Sequence, residues 1–197
     1  MSLIARLDEA RRRRNILEHP FNTRWERGEL SRSELATYAG EYRHVVMALA
    51  GAAEAAAPLA GSEHADEERA HVALWDDFAA ALEADLERSP RPETERCAAA
   101  WTSAEDPLEA LAILYAIESG QPEVSRTKLA GLFEHYDFAE SESGTAYFRL
   151  HAERDLEHAA HSRELLERDA AAEDEDRLVA AAERALDGNW ELLDGVK

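Results

Sequence analysis

The chain has 197 residues, 45% of them hydrophobic, and a formal net charge of −20. That length fits one domain spanning 1–197 with a sizeable core, and the apolar share argues against disorder. The acidity argues against nucleic acid, which needs a basic footprint, and against anionic membrane surfaces. No apolar run approaches the roughly 20 residues of a transmembrane helix. The opening "MSLIARLDEARRRR" sets its basic cluster after its apolar residues, the reverse of a secretory signal, so a cytoplasmic protein is expected. Cys97 is the only cysteine, which rules out an intramolecular disulfide and argues against a zinc ribbon.

Alanine, leucine, glutamate and arginine dominate, and apolar residues recur at intervals of three and four, so an all-α chain of about seven to eight helices is predicted. The first helix is expected over 3–18, ending before Pro20, with its arginine run on a solvated face. "FNTRWERGEL" carries a short turn around Trp25. Ser31 and Glu34 form the S-x-x-E signature of a capping box and open a long helix to about Pro58. Another helix is expected over 63–87, stopped by "SPRP", and a shorter one follows Pro92. Asp106-Pro107 supplies an N-cap and a first helical residue. That helix is disturbed at Gly120 to Pro122, and its continuation reaches about Tyr136. The last two helices are expected over 145–169 and 174–187.

Two segments carry the same chemistry. In "LHAERDLEHAAHS", His151, Asp155 and His158 are spaced four and three apart and so project from one helical face. In "SEHADEERAHVALW", His64, Glu68 and His71 repeat that spacing. Each segment thus contains an acid-x-x-His pair, Glu68/His71 and Asp155/His158, the device that di-iron carboxylate bundles place on facing helices. Iron(II) accepts mixed oxygen and nitrogen donors. Glu118 interrupts "LAILYAIESG", a run apolar nearly all round. A carboxylate buried there must be paired with an arginine, bound to metal or held protonated. His64 is expected near the site or at the surface without ligating, and His161 near it or solvated. His19 reads as packing at a bend, and His44 and His135 as ordinary helix residues. Trp75, Tyr115, Tyr147 and Phe148 read as core aromatics, and Cys97 as an inert packed thiol.

With those residues in hand, the chain resembles the haem-oxygenase-like helical proteins, the group that holds TenA and PqqC. Within it the chain is similar to the chlamydia protein associating with death domains (the CADD-like branch). The likeness is strongest in "HPFNTRWERGEL", "HVALWDDFAAAL" and "LYAIESGQPEVSRTKLAGLFEHYDF". It implies a TenA/PqqC-like bundle and a non-haem di-iron oxidase or oxygenase. The cofactor would be two iron ions, or an iron–manganese pair, with O2 as co-substrate and a small organic molecule as substrate. The implied metal ligands are Glu68, His71, Glu118, His151, Asp155 and His158, with Glu67 a competitor of Glu68. A homodimer is common in this fold.

The branch also includes enzymes that make para-aminobenzoate from their own tyrosine and lysine side chains. The lysine falls on Lys128, and only Lys128 and Lys197 are lysines among 22 basic residues. Arginine cannot supply a neutral amine near neutral pH, whereas a desolvated lysine can. The implied tyrosine is Asn22 here, while Tyr38 matches a second tyrosine of the pattern and Tyr42 lies one turn on. Lys128 and Tyr38 are therefore the expected non-ligand residues near the chemistry. A thiaminase would need a cysteine in "LAILYAIESG", and a haem oxygenase a lone proximal histidine without carboxylates. A metal-free helical interaction module is the reading outside enzymes.

Overall fold

The computed structural model describes residues 1–139 and 143–197. Among them are nine α-helices: α1 Leu3–Arg13, α2 Pro20–Glu26, α3 Arg32–Ala60, α4 Glu63–Ala81, α5 Pro92–Trp101, α6 Pro107–Glu118, α7 Gln121–His135, α8 Ala146–Asp169 and α9 Glu175–Gly195. Short 3-10 turns cover Ile16–Glu18 and Ser143–Thr145, and no strand occurs among the described residues. No helix of these residues is long and apolar enough to cross a membrane.

α6 is the axis of the bundle. Its mean composition is apolar on every side, and ten consecutive residues from Glu109 to Glu118 are buried. α3, α8 and α9 pack around it, with α4 against α3 and α8, α5 against α3 and α9, and α7 against α8. The capping box at Ser31 forms as expected: Glu34 N–H donates to the serine hydroxyl, and Ser31 N–H donates to the Glu34 carboxylate at 2.8 Å. Asp106 caps α6 through Glu109 N–H at 3.0 Å.

Several boundaries differ from the pattern in the sequence, through local capping or through a close approach of another segment. α1 stops at Arg13, and Asn15 turns the chain into the following 3-10 turn by accepting from Leu17 N–H. Three of the four arginines in the run 11–14 pair with acids, Arg12 with Glu9, Arg13 with Glu183 and Arg14 with Asp187, so the run braces the end of α1 partly against α9. The stretch around Trp25 is a two-turn helix rather than a single turn, capped by His19, whose ring accepts from Phe21 N–H. α4 ends six residues early, where Glu83 takes a left-handed backbone (φ 56°). The chain then crosses α3 with the Asp85 carbonyl 3.0 Å from where a Cβ on Gly40 would sit. α9 runs through Gly188 to Gly195, because this glycine lets α9 lie against Cys97 rather than ending the helix. Cys97 is fully buried, and burial pushes its thiol well above the ordinary range.

Candidate metal centre

The C-terminal end of α6 drops Glu118 between the first turns of α4 and the middle of α8. There the sequence spacing becomes geometry. Glu68, Glu118 and His151 are 0% exposed and Asp155 is 1% exposed, with His71 and His158 close behind. Two donor groups result. His64, Glu68, Glu118 and His158 each offer an atom within 4.8 Å of the others, and so do Glu68, His71 and His151. Glu68 belongs to both and is the shared carboxylate. Its Oε1 lies 3.0 Å from His71 Nδ1 and 3.8 Å from both His64 Nε2 and His158 Nδ1, and its Oε2 lies 3.9 Å from His151 Nε2. Asp155 stands at the edge, its Oδ1 3.8 Å from His158 Nδ1.

Twelve buried side-chain nitrogen or oxygen atoms among the described residues lack a hydrogen-bond partner, and eight of them converge here. They belong to His64, Glu68, Glu118, His151, Asp155 and His158. Native interiors satisfy nearly all such groups, so this concentration needs a ligand that accepts lone pairs. No arginine or lysine pairs with Glu68, Glu118 or Asp155 among the described residues, which removes the ion-pair alternative for Glu118. The donor set, mixed imidazole and carboxylate, fits first-row divalent metal ions.

The outer contacts fix how the imidazoles face. His151 Nδ1 lies 2.8 Å from the Tyr147 carbonyl, which can only accept, so this nitrogen carries a proton and Nε2 is the atom that faces inward. His158 Nε2 lies 2.9 Å from Glu67, which leaves Nδ1 facing the cluster. That contact also separates the two competing glutamates. Glu67 is half-buried and points outward, bridged to Arg154 at 2.6 and 3.0 Å, while Glu68 is fully inside. Arg154 holds the Glu67 carboxyl down at about 2.

The electrostatics follow burial. Burial, then the neighbouring Glu68 charge, drives Glu118 well above the usual carboxylate range. Burial also raises Asp155 to about 8, against the pull of His151. Burial would raise Glu68 too, but the contacts with His151 and His71 outweigh it and hold that carboxyl low. Burial, then His64, lowers His158 to about 4. Carboxyls pushed in opposite directions thus share one buried pocket, and a metal ion bound there would compete with the protons of the raised pair.

The remaining histidines are apart from this cluster. His161 is exposed and lines the outer cleft with Glu67 and Arg154. His19 sits edge-on to Trp190, His44 faces the Arg88 carbonyl, and His135 faces the Glu26 carbonyl.

Lys128 lies elsewhere, between α7, α2 and α3. Its ammonium nitrogen is 2.9 Å from Asn22 Oδ1, 4.0 Å from the Trp25 ring centre and 4.4 Å from that of Tyr38. Burial lowers it to about 7. Trp25 anchors the same turn by donating from Nε1 to the Lys128 carbonyl at 3.1 Å. Asn22 also donates to the Ile16 carbonyl, so its oxygen is fixed toward the amine. Lys128, Asn22, Tyr38, Tyr42, Trp75 and Tyr147 line one narrow chamber with room for about a single water. Rings connect this chamber to the donor cluster. Tyr147 stacks on His151 at 3.9 Å and meets Trp75 at 4.8 Å; Trp75 meets Tyr42 at 5.0 Å, and Tyr42 meets Tyr38 at 5.1 Å. Trp75, Tyr147 and Phe148 are therefore both core and chamber wall, whereas Tyr115 is turned away and donates to Asp8 at 2.8 Å.

A sequence profile of the haem-oxygenase-like family described as "Iron-containing redox enzyme" matches residues 35–190, and the chain belongs to that family. Its curated relatives share a more particular name. A 4-aminobenzoate synthase of Nitrosomonas europaea is 30% identical, with 93% of this chain and 86% of the relative covered. One of Chlamydia muridarum is 29% identical, covering 98% and 89%. Among solved structures, a TenA homologue from Pseudomonas syringae superposes with a TM-score of 0.81 at 19% identity over 98% of this chain and 90% of that one. A TenA homologue from P. horikoshii gives 0.79 at 14% identity over 100% and 98%. These superpositions show the TenA-like fold expected from the sequence.

Proposed function

We propose that the chain is a dimetal, O2-dependent enzyme that forms 4-aminobenzoate, with Lys128 as the amine donor. The observation that carries this reading is the pairing of two buried features joined by one aromatic layer: a donor cluster without partners and a lysine whose amine is favoured neutral. Glu68, His71, Glu118, His151, Asp155 and His158 would hold two iron ions, or iron and manganese, which when bound supply the activation of O2. Around them, Tyr147 orients His151 and Glu67 orients His158.

In the chamber, Asn22 and the faces of Trp25 and Tyr38 fix the Lys128 amine. A nucleophilic amine must be neutral, and desolvation by these rings favours that form near pH 7. Tyr38 is the ring held against it. Asn22, at the position where the resemblance expects a tyrosine, serves instead as the amine's acceptor. Water-sized free space favours a ring supplied by the protein itself over an external aromatic substrate. The relatives' name supports the same product.

Oxidation of an external small molecule is the second reading, favoured by the family's general description as redox enzymes. A metal-free docking module has little support, since the exposed large apolar side chains among the described residues are Met1, Met47 and Leu156, on separate segments.

The test is to load protein anaerobically with Fe(II), with and without Mn(II), admit O2, and measure 4-aminobenzoate by mass spectrometry. Protein labelled with 15N-lysine should yield 15N product, and peptide mapping should find Lys128 and Tyr38 altered. An unaltered chain with no product would move the external-substrate reading to first place.

A further inference from the structure

The spacing of His64 admits a surface role, but its side chain is inside. It is 9% exposed, and its Nε2 lies 2.9 Å from Glu118 Oε1. It forms no hydrogen bond there, because the approach is misaligned, so Nε2 and both Glu118 oxygens remain unpartnered. Its ring lies 3.9 Å from that of His158, and the two rings approach Glu68 Oε1 at the same 3.8 Å. An imidazole nitrogen beside a carboxylate, close but without hydrogen-bond alignment, is the arrangement of two donors directed at a common third atom.

From this juxtaposition we infer that His64 is a seventh ligand of the metal centre, binding the same ion as Glu118 and His158. The inference rests on the dimetal reading and deepens it. With His64 included, the two donor groups become balanced. One holds His64 and His158 with Glu118, the other holds His71 and His151, and Glu68 is common to both. Each ion thus receives two neutral nitrogens and shares one carboxylate. The rival role for His64 is a hydrogen-bond donor that merely steadies Glu118.

Cobalt(II) separates the two roles, because its visible bands report the donor set. Apo protein, His64→Ala and His64→Gly are titrated with Co(II) alone, with folding checked by circular dichroism. Wild type is expected to take two ions per chain. His64→Ala should weaken one of them by more than a hundredfold and shift its bands at saturation, and imidazole added to His64→Gly should restore both. A steadying residue would lower affinity by roughly ten- to a hundredfold and leave the saturated spectrum unchanged, which would overturn the assignment while the dimetal reading stands. Wild type that binds no Co(II) would sink both.

Discussion

Two fully buried glutamates, on α3 and α6, set the two halves of the molecule against each other. Glu41 sits where α3 meets the start of α5. Its Oε2 accepts from Arg91 N–H at 2.9 Å and from the Thr94 hydroxyl at 2.6 Å, with the Arg88 and Arg91 guanidiniums 3.5 and 3.6 Å from Oε1. Glu118, at the end of α6, has neither oxygen hydrogen-bonded, with the Glu68 carboxyl beside it and the Asp155 charge near enough to be felt. The first carboxyl is buried with its donors and ties two helices together. The second is buried without them, and burial cost of that kind persists where a ligand repays it.

Exchanging the two residues' fates is the strongest way to break this contrast. Glu118→Gln should abolish binding of at least one metal ion while leaving the thermal stability of the apo protein equal or higher, because a crowded carboxyl is removed. Glu41→Ala should destabilise the chain by about 2–4 kcal/mol, since it strands buried donors, and leave metal stoichiometry at wild-type level. Calorimetry and metal analysis on both variants read the crossed pattern; equal destabilisation by both would erase the distinction.

Lys128 sharpens the contrast from the other side of the aromatic wall. Its folded value, about 7, lies below that of an exposed lysine, so the unfolded chain holds the extra proton between about pH 7 and the ordinary lysine range. Stability should therefore rise with pH across that window, by at most about 1.4 kcal/mol per pH unit, and Lys128→Met should flatten the rise. Denaturant titrations from pH 6 to 10 measure it, and parallel curves for the two proteins would mean that the amine is not desolvated.

A fourth variant probes the wall itself. A Cβ at Gly131 would meet the Trp25 ring at 2.8 Å. Gly131→Ala should cost about 1–3 kcal/mol by overpacking and displace Lys128, with metal binding intact. The smallest effect is expected from Glu67→Gln. It keeps the hydrogen-bond partner of His158 but removes its charge, and should weaken one metal ion by roughly tenfold without changing stoichiometry.

The sequence made the donor cluster legible because helical periodicity is local. Spacings of four and three put His151, Asp155 and His158 on one face, and an apolar run around Glu118 announced its burial. His64 carried the same signal, but a histidine two residues from a helix start is as easily solvated. Only the packing of α4 against α8, which brings His64 to Glu118, decides it. The end of α4 and the passage of α9 through Gly188 were not legible for a related reason: each depends on which backbone lies within contact distance. The Lys128 chamber was visible only through the resemblance and the chain's scarcity of lysine. Its partners Asn22, Trp25 and Tyr38 come from segments about 90 to 106 residues away in sequence.

On the reading proposed above, the unpartnered donors around Glu68 and Glu118 hold a pair of metal ions. Metal content after anaerobic Fe(II) loading and removal of free ion, measured on wild type and a His151→Ala/His158→Ala double variant, tests it most directly. About two ions per chain in the wild type, lost in the variant while its helical content persists, is the expected result. No bound metal in the wild type, with Fe(II) alone or with Mn(II), would contradict it.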